Sequence, residues 1–230
     1  MKILIFGATG MIGQGVLREC LRDSGVRAVT AVGRSASGGQ HAKLRDVIHR
    51  DLHELHAIEP ELTGTDACFF CLGVTSAGMS EAEYERVTYG IAAAAAETLV
   101  QVNGDMTFVF VSGAGADSSE RGRVMWARIK GKSENMVLRL FRRGYVFRPA
   151  VVQPTHGIRS RTPLYNLAYS LGRPLMPLVR TMFPGYVLTT EEIGRAMLIV
   201  ARNGAPKRLL ESRDIKALIE PGREATSSSS

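Results

Sequence analysis

The feature that most constrains this chain is a glycine series within its first fifteen residues, Phe6-Gly7-Ala8-Thr9-Gly10-Met11-Ile12-Gly13. It follows the short apolar run at residues 2–6. It opens residues 11–21, where Ile12, Val16 and Leu17 recur at helical spacing. A strand that enters a helix through G-x-x-G-x-x-G must turn tightly, bring its backbone close to a pyrophosphate and pack the helix closely on the sheet. The helix N-terminus then directs unpaired N–H groups and the positive end of its dipole at the phosphates. Placement between a strand and a helix is what makes the pattern specific. Gly7, Thr9, Gly10, Met11, Ile12 and Gly13 are the predicted phosphate-binding turn.

The rest of the chain alternates in the same way. Apolar, β-branched runs at 26–32, 66–72, 106–112 and 145–147 read as strands, and 81–102 and 124–143 read as helices. Strands alternating with helices predict α/β architecture, with a mostly parallel, doubly wound sheet. After residue 150 the texture changes, as Pro149, Pro154, Pro163, Pro174, Pro177 and Pro184 break the pattern. We expect one nucleotide-binding domain over residues 1–220, with a distinct insertion at 150–190, and a frayed tail at 221–230. Thr189 and Glu192 have the spacing of a helix capping box.

The second strand ends at Val32-Gly33-Arg34, where an acidic residue would bind the ribose 2′-hydroxyl of NAD. Arginine suits bidentate contact with a phosphate, so NADP(H) is favoured over NAD(H). Asp51 and Leu52 follow the third strand, where an acid and an apolar group could bracket an adenine; Asp51 could equally cap a helix.

Net charge is +7, but unevenly distributed: residues 121–180 hold 13 basic residues and one acid, Glu134. An anionic ligand, nucleic acid, an acidic membrane surface or a solvated face would each produce that block. No recognised nucleic-acid motif accompanies Arg121, Arg123, Arg128, Lys130, Lys132, Arg139, Arg142 and Arg143, so nucleic acid is disfavoured as a partner. Arg128, Lys132, Arg139 and Arg143 could nevertheless form one exposed helical stripe. No stretch approaches the ~20 apolar residues of a membrane span. The opening apolar run is too short for a secretory signal, so the expected compartment is the cytoplasm.

Cys68 and Cys71 form C-x-x-C on a strand, where side chains three apart point to opposite faces, so packing is expected rather than metal or redox chemistry. His41, His49, His53 and His56 complete no metal site of known spacing and read as surface residues.

Several motifs together resemble the atypical branch of the short-chain dehydrogenase/reductase superfamily, and more narrowly the Tat-interacting oxidoreductase-like proteins and NAD-dependent epimerase/dehydratase-like relatives. They are the glycine series, Gly33-Arg34, Cys71-Leu72-Gly73, Val111-Ser112-Gly113-Ala114-Gly115-Ala116-Asp117, Lys130-Gly131 and Val146-Phe147-Arg148-Pro149. The resemblance implies a Rossmann sheet with a small C-terminal substrate lobe, the insertion at 150–190, together with a dinucleotide cofactor and a small-molecule substrate. It implies that Leu72, Gly73, Arg148 and Pro149 line the cofactor pocket. As one assembly, it implies a homodimer through the helices around 91–96 and 124–143. It also implies a catalytic Ser, a Tyr acid/base, and a Lys four residues after the Tyr that holds the nicotinamide ribose. Lys130 matches the Lys, and Ser112 lies at or beside the Ser position. The Tyr position holds Trp126, whose indole is a donor only. A substitute acid could come from His156 or Tyr165, while Trp126 would serve as an apolar wall. Cofactor binding survives this departure; the usual proton transfer does not.

Overall fold

The computed structural model describes residues 1–158 and 185–220. Seven strands form one parallel sheet: β1 (Lys2–Phe6), β2 (Ala28–Gly33), β3 (Leu44–Ile48), β4 (Ala67–Phe70), β5 (Thr107–Val111), β6 (Gly144–Arg148) and β9 (Leu209–Glu211). Their order is β3-β2-β1-β4-β5-β6-β9. This is the expected Rossmann-type arrangement. A crevice opens where the order reverses, between β1 and β4, at the carboxyl ends of the strands.

Parallel strands covered on both faces should be apolar throughout, and Ile3, Leu4, Ile5 and Phe6 are all fully buried. Alternation assigns them to two layers. Ile3, Ile5, Phe69, Val109 and Phe147 pack with α1 (Met11–Arg22), α6 (Thr190–Asn203) and α7 (Ser212–Ile219). Leu4, Phe6, Phe70, Phe108 and Phe110 pack with α4 (Ile91–Val102) and α5 (Met125–Leu140). The aromatic layer is continuous: the Phe108 and Phe141 rings lie 4.8 Å apart, and Phe70 and Phe110 5.7 Å apart. Cys68 joins this second layer and Cys71 packs against the first, so the C-x-x-C thiols do point to opposite faces.

Helices α1 and α6 pack closely because glycine stands at their contact. A Cβ on Gly15 would lie 2.5 Å from the Thr190 side chain, and one on Gly194 would lie 3.0 Å from that of Glu19. The Thr189–Glu192 capping box is present, with Glu192 N–H donating to Thr189 Oγ1 at 3.0 Å and Thr189 N–H to Glu192 Oε2 at 2.6 Å.

Two features depart from the sequence reading. The helix expected over 81–102 is α3 (Glu81–Glu85), a π turn at Arg86–Gly90, and then α4. The proline-rich segment is closed at its base by β7 (Val151–Gln153) pairing in parallel with β8 (Val187–Thr189). Most of the lobe expected at 150–190, including Tyr165, and the tail at 221–230 lie outside the described residues.

Candidate cofactor and active site

The glycine series forms the turn from β1 into α1. Gly7 has φ +81°, and a Cβ there would lie 2.7 Å from the Leu72 backbone at the end of β4. Gly10 N–H donates to the Gly7 carbonyl at 2.9 Å, and Gly10 is the N-cap of α1. A Cβ on Gly13 would lie only 2.0 Å from Gly7 O. Gln14 steadies the turn, with Nε2 donating to Thr9 O at 3.0 Å. No side chain caps α1 and its first turn holds no acid, so its leading N–H groups face the crevice. Met11 and Ile12 are half-buried behind the turn. The cradle has room for backbone alone, and this fits a pyrophosphate.

Arg34 is exposed at the end of β2. Asp51 lies exposed after β3, its Oδ1 accepting from His53 N–H at 3.0 Å, so it caps a local turn. Leu52 is 3% exposed and belongs to the core beneath α4. Of the four clustered histidines, His41, His53 and His56 are exposed and His49 is half-buried, its Nε2 paired with the Glu54 carbonyl at 2.6 Å.

Lys130 lies on α5 with its side chain turned inward. Its Nζ donates to Val111 O at 3.4 Å, sits 5.2 Å from the Phe110 ring centroid, and would lie 3.7 Å from a Cβ on Gly73. The ammonium therefore stands at the ends of β4 and β5, beside the Leu72-Gly73 strand end that backs the glycine turn. Burial pushes its pKa down to about 8, opposed by the nearby Glu134 carboxylate. Next to Val111, Ser112 is buried with no partner for its hydroxyl; among the described residues the other such buried oxygen is Thr88 Oγ1 in the π turn. An ammonium with one long hydrogen bond and an unpartnered hydroxyl are unsatisfied groups of the kind a bound ligand completes.

Trp126, one turn before Lys130, packs over the loop after β5, its Cη2 lying 3.5 Å from where a Gly115 Cβ would be. His156, proposed from sequence as a substitute acid, has φ +56° and its Nε2 pairs with Glu191 Oε2 at 2.9 Å. It lies by α6, on the face of the sheet away from α5, and borders a cavity of about 530 Å³ with Arg18, Arg22 and His41. The fold thus groups Lys130, Ser112, Leu72 and Gly73, and leaves His156 with Glu191.

The sequence reading put Arg148 in the pocket lining. Its guanidinium bonds the Glu134 carboxylate, Nε to Oε1 at 2.9 Å and Nη2 to Oε2 at 2.5 Å, and reaches Ser118 Oγ at 2.6 Å. Pro149 is buried, its carbonyl accepting from Ala114 N–H at 3.1 Å. The Glu134–Arg148 pair was not anticipated. Its signal was present all the same, since Glu134 is the only acid in the basic block.

Among the described residues, several cations of that block are paired. Arg128 forms a two-point contact with Glu81, at 2.7 and 2.8 Å, and Lys132 pairs with Glu85 at 2.6 Å. Arg142 pairs with Asp105 at 3.7 Å, while Arg143 lies beyond α5 and donates to the Ala201 carbonyl at 2.9 Å. Of the stripe that Arg128, Lys132, Arg139 and Arg143 could form, Arg128 and Lys132 are thus paired with acids of α3. Among the described residues, no helix is long and apolar enough to cross a membrane.

Comparisons with known proteins agree with this geometry. A family model described as NAD(P)H-binding matches residues 7–138. The protein HTATIP2 of Rattus norvegicus is 28% identical, over 97% of this chain and 90% of its own. A protein of Scheffersomyces stipitis named FMP52-1, mitochondrial, is 26% identical over 80% of this chain and 83% of its own. MoeE5, solved with UDP-glucose and NAD, superposes with a TM-score of 0.65 at 21% identity, over 92% of this chain and 75% of that one. An oxidoreductase of Lactococcus lactis, ylbE, superposes with a TM-score of 0.63 at 15% identity, over 96% and 95%. This chain belongs to the NAD(P)H-binding family, is similar to HTATIP2 and to the FMP52 proteins, and binds a nicotinamide dinucleotide.

Proposed function

We propose that the protein is an NADP(H)-dependent oxidoreductase or epimerase-like enzyme acting on a small substrate. The observation that carries this reading is the buried Lys130 ammonium bonded to the Val111 carbonyl, with the unpartnered Ser112 hydroxyl on the next residue, at the strand ends next to the glycine turn. A nicotinamide dinucleotide, when bound, supplies or accepts a hydride. The residues divide the remaining work. The glycine turn holds the pyrophosphate, Arg34 contacts the 2′-phosphate, and Lys130 orients the nicotinamide ribose with its charge. Ser112 donates a hydrogen bond to a substrate oxygen, and Trp126 walls the pocket. The test is NADPH oxidation across carbonyl and sugar-nucleotide panels. Turnover that is lost in Lys130→Met and Ser112→Ala supports the reading, and NADPH binding with no turnover anywhere overturns the enzymatic part.

An anionic substrate follows if Arg159, Arg161 and Arg173, which lie outside the described residues, flank the pocket. Their joint neutralisation should then weaken the substrate KM without changing NADPH affinity.

Trp126 favours a second reading, in which the protein binds NADP(H) without efficient turnover and acts through protein partners. Partner capture that changes with NADPH supports it, and identical capture with and without cofactor overturns it. We place the chain in the cytoplasm, as a homodimer through α4 and α5. Fractionation into mitochondria, or a monomer by sedimentation, would correct either point.

A further inference from the structure

Three charged groups meet behind the helix that carries Lys130. Glu134 is fully buried and sits one helical turn after Lys130 on α5. Arg148, from the end of β6, holds it through two hydrogen bonds, and Glu211 approaches Arg148 at 3.4 Å. Ser118 donates to Glu134 Oε2 at 3.2 Å and accepts from Arg148. Ser118 lies within the loop, residues 112–124, that begins at Ser112. That loop is pressed onto α5 so closely that a Cβ on Gly131 would lie 1.8 Å from Asp117 O. One buried ion pair thus joins the loop carrying Ser112 to the helix carrying Trp126 and Lys130.

A buried carboxylate one turn from a buried ammonium also acts on its charge. The other groups around Lys130 are the Phe110 ring, the Val111 carbonyl, and the uncharged strand ends at Leu72-Gly73 and Ser112. Cys71, just after β4, stays a neutral thiol, since burial pushes its pKa far up. Glu134 is the charged group acting on Lys130, with Arg148 and Glu211 behind it.

We infer that Glu134 is a positioning residue for the cofactor site: with Arg148 it fixes the loop after β5 onto α5 and holds the Lys130 ammonium in its charged form. This rests on the proposed role of Lys130 against the nicotinamide ribose. Lys130 senses Glu134 more strongly than the Arg148 guanidinium behind it. Glu134→Gln leaves a bare cation behind α5 and drives Lys130 toward the neutral amine. Arg148→Gln leaves a bare anion and favours the ammonium. The double substitution removes both charges.

The experiment has two readouts, each taken from pH 7 to 9.5, above the second phosphate ionisation near ~6. The first is the NADPH dissociation constant, by fluorescence. The second needs no cofactor: the pH dependence of Lys130 acetylation by acetic anhydride, read by peptide mass spectrometry. In the native protein both should show a transition at about 8, with affinity falling as the amine forms. Glu134→Gln should move the transition to lower pH by about one unit or more. Arg148→Gln should move it to higher pH, and the double variant should fall below the native position by less than Glu134→Gln alone. Midpoints that stay put, or that all move in one direction, overturn the inference. Should Glu134→Gln fail to fold, the opposite-charge variant and the double variant still decide. Absence of NADPH binding in the native protein would instead count against the reading of the site, and the acetylation profiles would still test Glu134.

Discussion

Gly13 of α1 faces the carbonyl oxygen of Gly7 so closely that any side chain would collide with it: a Cβ would stand 2.0 Å away. The contact is backbone against backbone, so no rotamer change relieves it. It sets how near the first helix approaches the first strand, and with that the width of the phosphate cradle. Gly13→Ala should destabilise the fold by about 1–3 kcal/mol through overpacking. It should also abolish NADPH binding, because relief requires α1 to move off the turn. Thermal unfolding and fluorescence titration check the two effects separately, and an alanine variant that binds normally would contradict the cradle.

Lys130 should cost the unliganded protein stability. Its pKa falls from 10.5 in water to about 8 in the fold, because burial disfavours the charge. The unfolded chain therefore binds more protons between those values, and stability rises with pH across that window. Below about pH 8 the full cost applies, about 3 kcal/mol at 1.36 kcal/mol per unit. Lys130→Met should raise the melting temperature at pH 7 and lose that advantage near pH 10.5, while NADPH affinity falls. Denaturant melts at both pH values test the sign.

Arg34 should decide between cofactors. A charge-assisted contact with the 2′-phosphate is worth about 1.5–3 kcal/mol, so Arg34→Ala should weaken NADPH binding by roughly 10- to 150-fold. NADH affinity should be almost unchanged. Equal losses for both cofactors would show that Arg34 does not read the phosphate.

Trp126 stands where the resemblance places a tyrosine, one helical turn before Lys130. Trp126→Tyr keeps an aromatic group against Gly115 and adds a hydroxyl able to transfer a proton. NADPH oxidation with probe carbonyls should increase at least tenfold, with NADPH affinity retained. No gain would mean that this chain supplies its proton elsewhere.

The basic block should behave as a paired surface. Arg128 and Lys132 are matched by Glu81 and Glu85, both partly exposed, and such pairs contribute about 1 kcal/mol or less. Arg128→Ala should leave the melting temperature within a few degrees of native. DNA binding should be weak and lack a steep salt dependence. Tight, strongly salt-dependent binding would show that unpaired cations still form a continuous patch.

Local sequence determined much of this protein. The glycine turn, the alternation of strand and helix, the capping box at Thr189 and the opposed thiols of Cys68 and Cys71 depend on neighbours in the chain. Backbone sterics and periodicity express them directly. Lys130 was also legible, from its match to a family motif. The tertiary structure alone decided whatever depends on partners distant in sequence. It brought Arg148 to Glu134 across 14 residues and Arg128 to Glu81 across 47, pairing some cations of a basic segment with acids. It drew Leu52 into the core, set His156 against Glu191 and left Ser112 buried without a partner. Charge and burial act through space, so a composition read along the chain registers the cations of residues 121–180 but not the acids that the fold lays against them.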